Sequence, residues 1–384
     1  MEERMPANRL IVLDDEPAIG SLVANVAGRI GYAAEAVASF TDFKNALARD
    51  DPTHVVLDLQ MPDADGVEVL AYLADLGSRA RLILMSGVDA RVLEVAGQVA
   101  QDNGLDVIAT CVKPVRAAEL RDLLSTHAYP EKAEIDSDAL AMAVAREEIH
   151  LHFQPKLRLS DRRIVGFEAL ARWRHAAHGQ VPPDIFIPLA ERSGLISEVT
   201  QRVFGQAART VRSLDALDPA LGVSVNISSI DLQDGHLADR LAATCRDEGV
   251  KPDRITLELT ETAAMSDPSR AKAGLVRLRL KGFKLSVDDF GIGYSSLALL
   301  RQMPFSELKI DRSFVRDCTT SRDSSAIVGA VTAMAHALEL SVVAEGVEDA
   351  DILTHLVEAG VDEAQGYWIS RPVEVENIAD LVSK

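Results

Sequence analysis

Between Arg9 and about Thr126 the chain alternates short apolar runs with longer stretches whose apolar residues recur at helical spacing. RLIVL, HVVLDL, RLILMS and DVIATCV are bounded by polar turns and read as buried strands, while EPAIGSLVANVAGRI reads as an amphipathic helix. Strands alternating with helices predict a parallel sheet covered on both faces, with its functional edge at the carboxyl ends of the strands. HAYPEKAEIDS then combines a proline, several charges and little periodicity, which predicts a linker. DSDALAMAVAREEI predicts a helix capped by Asp136 or Ser137. Eight further runs follow: LHFQPKL, IVGFEALARW, GVSVNIS, RITLELTE, KLSVDDF, ELKIDRSF, SVVAEGV and EAQGYWIS. Most of their seven connections have room for a helix, and eight strands over about 235 residues predict a (β/α)8 barrel. A second open α/β sheet is the alternative, because periodicity alone does not show closure.

Polar residues interrupt this pattern at one recurrent place, the end of an apolar run. In the first third these are Asp14, Asp15, Asp58, Ser86 and Lys113. Three carboxylates converging there suit a hard divalent cation such as Mg2+. A hydroxyl and an ammonium beside them suit a phosphoryl group carried on one carboxylate. In the remainder they are Glu168, Asn226, Glu258, Asp288 with Asp289, Lys309, Glu345 and Gln365.

The sharpest case is LSVDDFGIGYSSL, where a run with the look of a buried strand ends in two adjacent carboxylates. Neighbouring strand residues point to opposite faces, and a charge at the end of a covered strand is costly unless something compensates it. Barrel strand ends meet on one rim, so the series forms one pocket in which four or five carboxylates repel and call for cations. Two hard metals bridged by Asp288 or Asp289 would use this number of ligands. Such a pair neutralises a phosphate and activates a water. Lys309 would orient that water or stabilise developing charge, and Arg172 would contact a phosphate oxygen.

Composition narrows the partners. The chain of 384 residues is 47% hydrophobic and carries a formal net charge of −19. Both parts are acidic, with 20 acids against 11 bases through His127 and 39 against 29 after it. That balance argues against DNA or an anionic membrane as a general partner. Cys111, Cys245 and Cys318 are isolated, with no spacing that suggests a disulfide framework or a zinc site. No uninterrupted 18-residue apolar span occurs, so no membrane span is expected and the expected location is cytoplasmic.

VLDDEP, VVLDLQMPDADG, LILMSG and VKP, in this order, resemble the receiver domain of two-component response regulators. The resemblance implies a flavodoxin-like doubly wound sheet over residues 8–127. It makes Asp58 the phosphoacceptor, Asp14 and Asp15 ligands of Mg2+, Ser86 and Lys113 phosphoryl contacts, and a histidine kinase the phosphodonor. The aromatic switch residue usual three positions before the lysine is replaced by Thr110.

After a linker at 128–137, residues 138–384 resemble the EAL family of cyclic di-GMP phosphodiesterases. FQP, FEALARW, VNIS, ELTE, DDFGIGYSSL, LKIDRSF, AEGVE and QGYWISRP occur in order. This resemblance implies a modified (β/α)8 barrel with one strand reversed. Glu168, Asn226, Glu258, Asp288, Asp289 and Glu345 become ligands of two Mg2+ or Mn2+ ions, and Lys309 contacts the attacking water. Gln154, Leu170, Arg172, Asp311, Glu348 and Gln365 fall at substrate or supporting positions. Glu261 holds the loop FGIGYSS after Asp289, in which Ile292 replaces a frequent threonine and Gly291 and Gly293 permit a tight path. A homodimer formed through the barrel, or a higher homo-oligomer, is the implied assembly.

Other signals are set aside. DDFG lacks the remaining kinase elements. His175 and His178 sit in a polar turn without partners at zinc-site spacing, and Trp173 and Phe167 read as packing residues. No synthase-type GGDEF motif is present. The expected function is a phosphorylation-responsive phosphodiesterase that opens cyclic di-GMP to linear pGpG. The runner-up is a silent cyclic di-GMP receptor that signals through a partner, and a third reading makes the receiver the output and the barrel a scaffold.

Overall fold

The apolar runs of the first third become strands in the computed structural model, which describes residues 8–382 except 50, 63, 79, 88–89, 128–134, 177, 267 and 292–299. The strands are β1 (Arg9–Leu13), β2 (Ala33–Val37), β3 (His54–Asp58), β4 (Arg81–Ser86) and β5 (Asp106–Val112). They form one parallel sheet in the order β2-β1-β3-β4-β5. Alternate residues feed two cores. Leu10, Val12, Val56 and Ile83 pack with the helices Pro17–Arg29 and Ala117–His127. Ile11, Leu13, Leu57 and Leu84 pack with Phe40–Arg49, Gly66–Asp75 and Ala90–Asp102. β2 escaped the hydrophobic pattern because AAEAV is alanine-rich and lies half exposed at the sheet edge.

The chain divides into two units, Met1–Glu134 and Ile135–Lys384. Residues 128–134 of the expected linker lie outside the described residues. The second unit opens with the helix Ser137–Ala145, capped by Asp136, whose carboxylate accepts the Ala139 N–H at 2.8 Å.

Its strands are β6 (Ile149–Arg158), β7 (Arg163–His175), β8 (Gly179–Val181), β9 (Gly222–Asn226), β10 (Ile255–Thr260), β11 (Lys284–Phe290), β12 (Glu307–Ile310), β13 (Ser341–Ala344) and β14 (Glu363–Ala364). β6 pairs with both β7 and β14, which closes a ring of eight strands and rules out the open sheet; β8 is an added hairpin arm on β7. β6 is antiparallel to both neighbours, whereas the other ring pairs are parallel. The cause is local. Only four residues separate β6 from β7, and a parallel return needs a crossover of a dozen or more.

The hydrophobic core lies between ring and helices, with Phe153, Phe167, Trp173, Phe186, Phe204 and Phe283 fully buried. The inside of the ring differs in kind. Gln154, Lys156, Glu168, Ser224, Glu258, Ser286 and Lys309 are all buried.

Candidate active site

The carboxyl edge of the first sheet gathers an acidic pocket. Asp14 follows β1, and Asp58 and Ser86 end β3 and β4; all three are buried. Asp15 stands beside them, with oxygens of Asp14, Asp15 and Asp58 within 4.8 Å of one another. Lys113, just past β5, reaches Asp58 at 2.7 Å and Asp14 at 2.9 Å, while its backbone N–H donates to Ser86 O at 2.8 Å. Burial pushes the Asp14 carboxyl up despite the Lys113 ammonium. Burial also works against that ammonium, but its bonds to Asp58 and Asp14 outweigh this and raise its pKa. Thr110 is exposed on β5.

The barrel rim holds the larger cluster. Lys309, fully buried on β12, is surrounded by Glu345 at 2.6 Å, Glu258 at 2.8 Å, Asp288 at 3.1 Å and Glu168 at 3.6 Å. Asn226 Nδ2 donates to Glu168 Oε1 at 3.0 Å, and Gln365 Nε2 donates to the other oxygen of Glu168 and to Gln154 Oε1 at 3.0 Å. Gln154 Nε2 donates in turn to Ser370 O at 3.1 Å. These groups come from β6, β7, β9, β10, β11 and β12 and from the segments just after β13 and β14.

The adjacent carboxylates Asp288 and Asp289 share one pocket for a reason that lies in the backbone. The ladder between β11 and β12 slips between Val287 and Phe290, and Asp289 adopts a left-handed φ of 54°. Strict alternation is broken, so both acids serve one pocket. Oxygens of Glu168, Glu258 and Asp288 lie within 4.8 Å of one another, and so do those of Asp288, Asp289 and Glu345. Asp288 is common to both groups.

Electrostatics follows from this crowding. Burial and the neighbouring carboxylates push Glu345 up to about 8 and Asp288 up to about 6, against the pull of Lys309. Burial also raises Glu168 and Asp289. Glu258 moves the other way. Burial opposes its charge, but the Lys309 and Lys156 ammoniums overcome that and hold it at about 2. Five carboxylates stand against two ammoniums, Lys309 among them and Lys156 behind Glu258, so negative charge is in excess, and the donors are hard oxygens in two groups with a shared member. Such a set fits a pair of divalent cations.

The remaining expected residues are placed more loosely. Leu170 and Arg172 follow Glu168 on the same face of β7 and are half-buried. The Arg172 guanidinium donates to Ala171 O at 2.8 Å, and burial lowers its pKa. Asp311 is buried, caps the helix Arg312–Arg316 by accepting the Ser313 N–H at 2.8 Å, and adds to the charge felt by Asp289. Glu348 is exposed after β13, away from the cluster's hydrogen bonds. Glu261 is buried, and its Oε2 accepts the Gly291 N–H at 3.1 Å. Ile292, Gly293 and the rest of the expected loop lie outside the described residues.

Trp173 and Phe167 are buried in the core. The His178 N–H donates to His175 Nδ1 at 3.1 Å within a turn, which accounts for that pair. Sequence reasoning missed Lys156, whose Nζ lies 3.0 Å from both Glu258 and Glu307. Its signal was the strand period of two, which sets it on the same face as Gln154.

A family model described as the EAL domain matches residues 137–372, and one described as the response regulator receiver domain matches residues 10–125. The chain is 33% identical to the cyclic di-GMP phosphodiesterase RocR of Pseudomonas aeruginosa over 392 residues, covering 97% of this chain and 98% of that protein. It is 40% identical to the cyclic di-GMP phosphodiesterase NbdA of the same organism over 246 residues, covering 64% of this chain and 31% of that protein. Among solved structures, the PaMucR phosphodiesterase in its c-di-GMP complex is similar at a TM-score of 0.60 and 37% identity, covering 63% of this chain and 98% of that one. The EAL enzyme Bd1971 in its cAMP and cyclic-di-GMP bound form is similar at 0.61 and 32%, covering 64% and 67%.

Proposed function

Because the chain belongs to the EAL domain family and carries a response regulator receiver domain ahead of that domain, we propose that it is a cyclic di-GMP phosphodiesterase regulated by phosphorylation of Asp58. The reaction adds water to one phosphorus of the cyclic dinucleotide and breaks its bond to the 3′ oxygen, which leaves as the hydroxyl of linear pGpG. The observation that carries this reading is the pair of carboxylate groups that share Asp288 around Lys309.

Glu168, Asn226, Glu258, Asp288, Asp289 and Glu345 would hold two divalent cations, Mg2+ or Mn2+. Bound there, these ions supply neutralisation of the phosphate and a water acidic enough to attack at neutral pH. Lys309 positions that water and stabilises charge on the reacting phosphate. Arg172 offers a guanidinium to a phosphate oxygen, and Leu170, Gln154 and Gln365 shape the neighbouring wall, with Asp311 and Glu348 at its margin. Glu261 anchors the backbone after Asp289 through Gly291, a route by which signals alter the site.

In the receiver unit, Asp14 and Asp15 would hold Mg2+ beside Asp58, with Ser86 and Lys113 contacting the phosphoryl group delivered by a histidine kinase. We place residues 8–127 as receiver, 128–137 as linker and 138–384 as phosphodiesterase. The assembly is a homodimer in the cytoplasm, a setting consistent with three buried free thiols. Among the described residues no helix is long and apolar enough to cross a membrane.

The test is to incubate the full chain with cyclic di-GMP and Mg2+ and to follow pGpG by chromatography, with and without a small-molecule phosphodonor. Turnover that depends on the cation, and is lost in Asp288→Asn, is expected. Tight binding without turnover in excess Mg2+ would replace this reading with the silent receptor.

A further inference from the structure

Lys156 is a cation inside the barrel that the expected site does not include. It is 4% exposed. It lies two residues beyond Gln154 on the reversed strand, and that strand runs from the rim inwards, so Lys156 sits below the rim residues. Its Nζ lies 3.0 Å from Glu258 Oε1 and 3.0 Å from Glu307 Oε1. The other oxygen of Glu258 takes Lys309 at 2.8 Å. Glu258 is fully buried and so has an ammonium on each oxygen. Beneath, Lys156 and Glu307 line a cavity of about 590 Å3 at the start of the strands, along with Lys284, Ser306 and Glu363.

The two ammoniums are not equivalent. Lys309 also faces Glu168, Asp288 and Glu345 and belongs to the reacting side of the cluster. Lys156 touches only one of the proposed cation ligands, from behind, and its second bond goes to a residue at the far mouth of the ring. A carboxylate clamped on its rear oxygen has a fixed plane and offers only its front oxygen to the pocket. Without the clamp the rear oxygen is a buried acceptor with no partner, and the group turns to find one.

We propose that Lys156 is a positioning residue of the cation site, holding Glu258 by one oxygen so that the other is presented to a metal. The proposal rests on the two-cation reading above. It differs from a plain structural role, in which Lys156 merely neutralises the buried pair Glu258 and Glu307.

The two roles are separated by titrating the full chain with Mn2+ alone, without substrate, by calorimetry or by the electron resonance of the free ion. All chains carry Asp15→Asn, which removes the receiver's own cation site. Lys156→Met should weaken Mn2+ binding at the barrel by about 10–100-fold and lower the melting temperature. Glu307→Gln alone should leave Mn2+ binding within about threefold of the reference, since the bond to Glu258 remains.

The decisive chain is Lys156→Met with Glu307→Gln, which relieves the repulsion between the two acids and folds even where the single variant does not. It should regain melting temperature while keeping the weakened Mn2+ constant. Recovery of both would assign Lys156 a structural role and overturn the proposal, as would an unchanged constant in Lys156→Met. A reference chain in which the barrel binds no Mn2+ would overturn the two-cation reading and this proposal together.

Discussion

Lys309 is fully buried and touches four carboxylates, so without divalent ions it is the chief counter-charge of the rim. Removing one member of a buried charged group costs about 3–5 kcal/mol when the others are left uncompensated. Lys309→Met should therefore lower stability by that order in a chelator, read by urea denaturation, and by much less in saturating Mg2+. With saturating Mg2+ its turnover of cyclic di-GMP should fall by more than about 100-fold. The acids predict a pH dependence of opposite signs. Glu345, raised to about 8, keeps a proton in the folded chain that the unfolded chain has released, so stability falls as pH rises from the usual carboxylate range through about 8. Asp288, raised to about 6, adds to the lower part of that fall. Glu258, held at about 2, contributes stability above the usual carboxylate range that is lost as pH drops through about 2. In a chelator the denaturation midpoint should decline between about pH 5 and 8, and Mg2+ should flatten the slope. The rim acids were legible because a charge at the end of an apolar run breaks the pattern. Lys156 was overlooked, because in LHFQPKL the period of two that sets it beside Gln154 reads equally as the polar face of a half-exposed strand.

At the scale of elements, three backbone departures build the rim. The reversed β6 brings Gln154 and Lys156 to Glu168 and Glu258. The slipped ladder of β11 turns Asp289 into the pocket. After β14 the chain passes so close to Val347 that a Cβ on Gly366 would overlap backbone atoms on both sides of it. That contact is sealed by Val347 N–H to Gln365 O at 3.1 Å and Trp368 N–H to Val347 O at 3.0 Å. Gly366→Ala should push Gln365 off Glu168 and lower turnover about tenfold or more, while Gly329→Ala, inside the helix Arg322–Ala337 where a Cβ meets nothing, serves as the control. Most strands could be read from their apolar runs. The reversal of β6 was also readable, since six residues between LHFQPKL and IVGFEALARW cannot hold a crossover helix. The bulge was not, because a register slip and a left-handed aspartate depend on the neighbouring strand. β2 was missed because its alanines do not mark a covered strand.

For the whole molecule, the issue is how the proposed phosphorylation of Asp58 would be felt by a barrel in a separate unit. Coupling requires two states whose free energies differ with phosphorylation. A small-molecule phosphodonor should change turnover in the natural chain and leave Asp58→Asn unaffected. Glu261→Gln should blunt the change by weakening the hold on Gly291. Equal responses of the natural chain and Asp58→Asn would detach the receiver from the reaction. The exposed Thr110 on β5 means that any relay runs through something other than an aromatic ring at that position.

The interior of the ring has a thermal consequence. Most domains gain heat capacity on unfolding, about 12–15 cal/mol/K per residue, because the hydrocarbon they release into water outweighs the polar surface, whose hydration subtracts. This barrel releases buried ammonium, carboxylate, amide and hydroxyl groups from its very centre. Scanning calorimetry of the chain in a chelator should give a heat-capacity step below that range, and hence a stability curve flatter with temperature than its size alone would set.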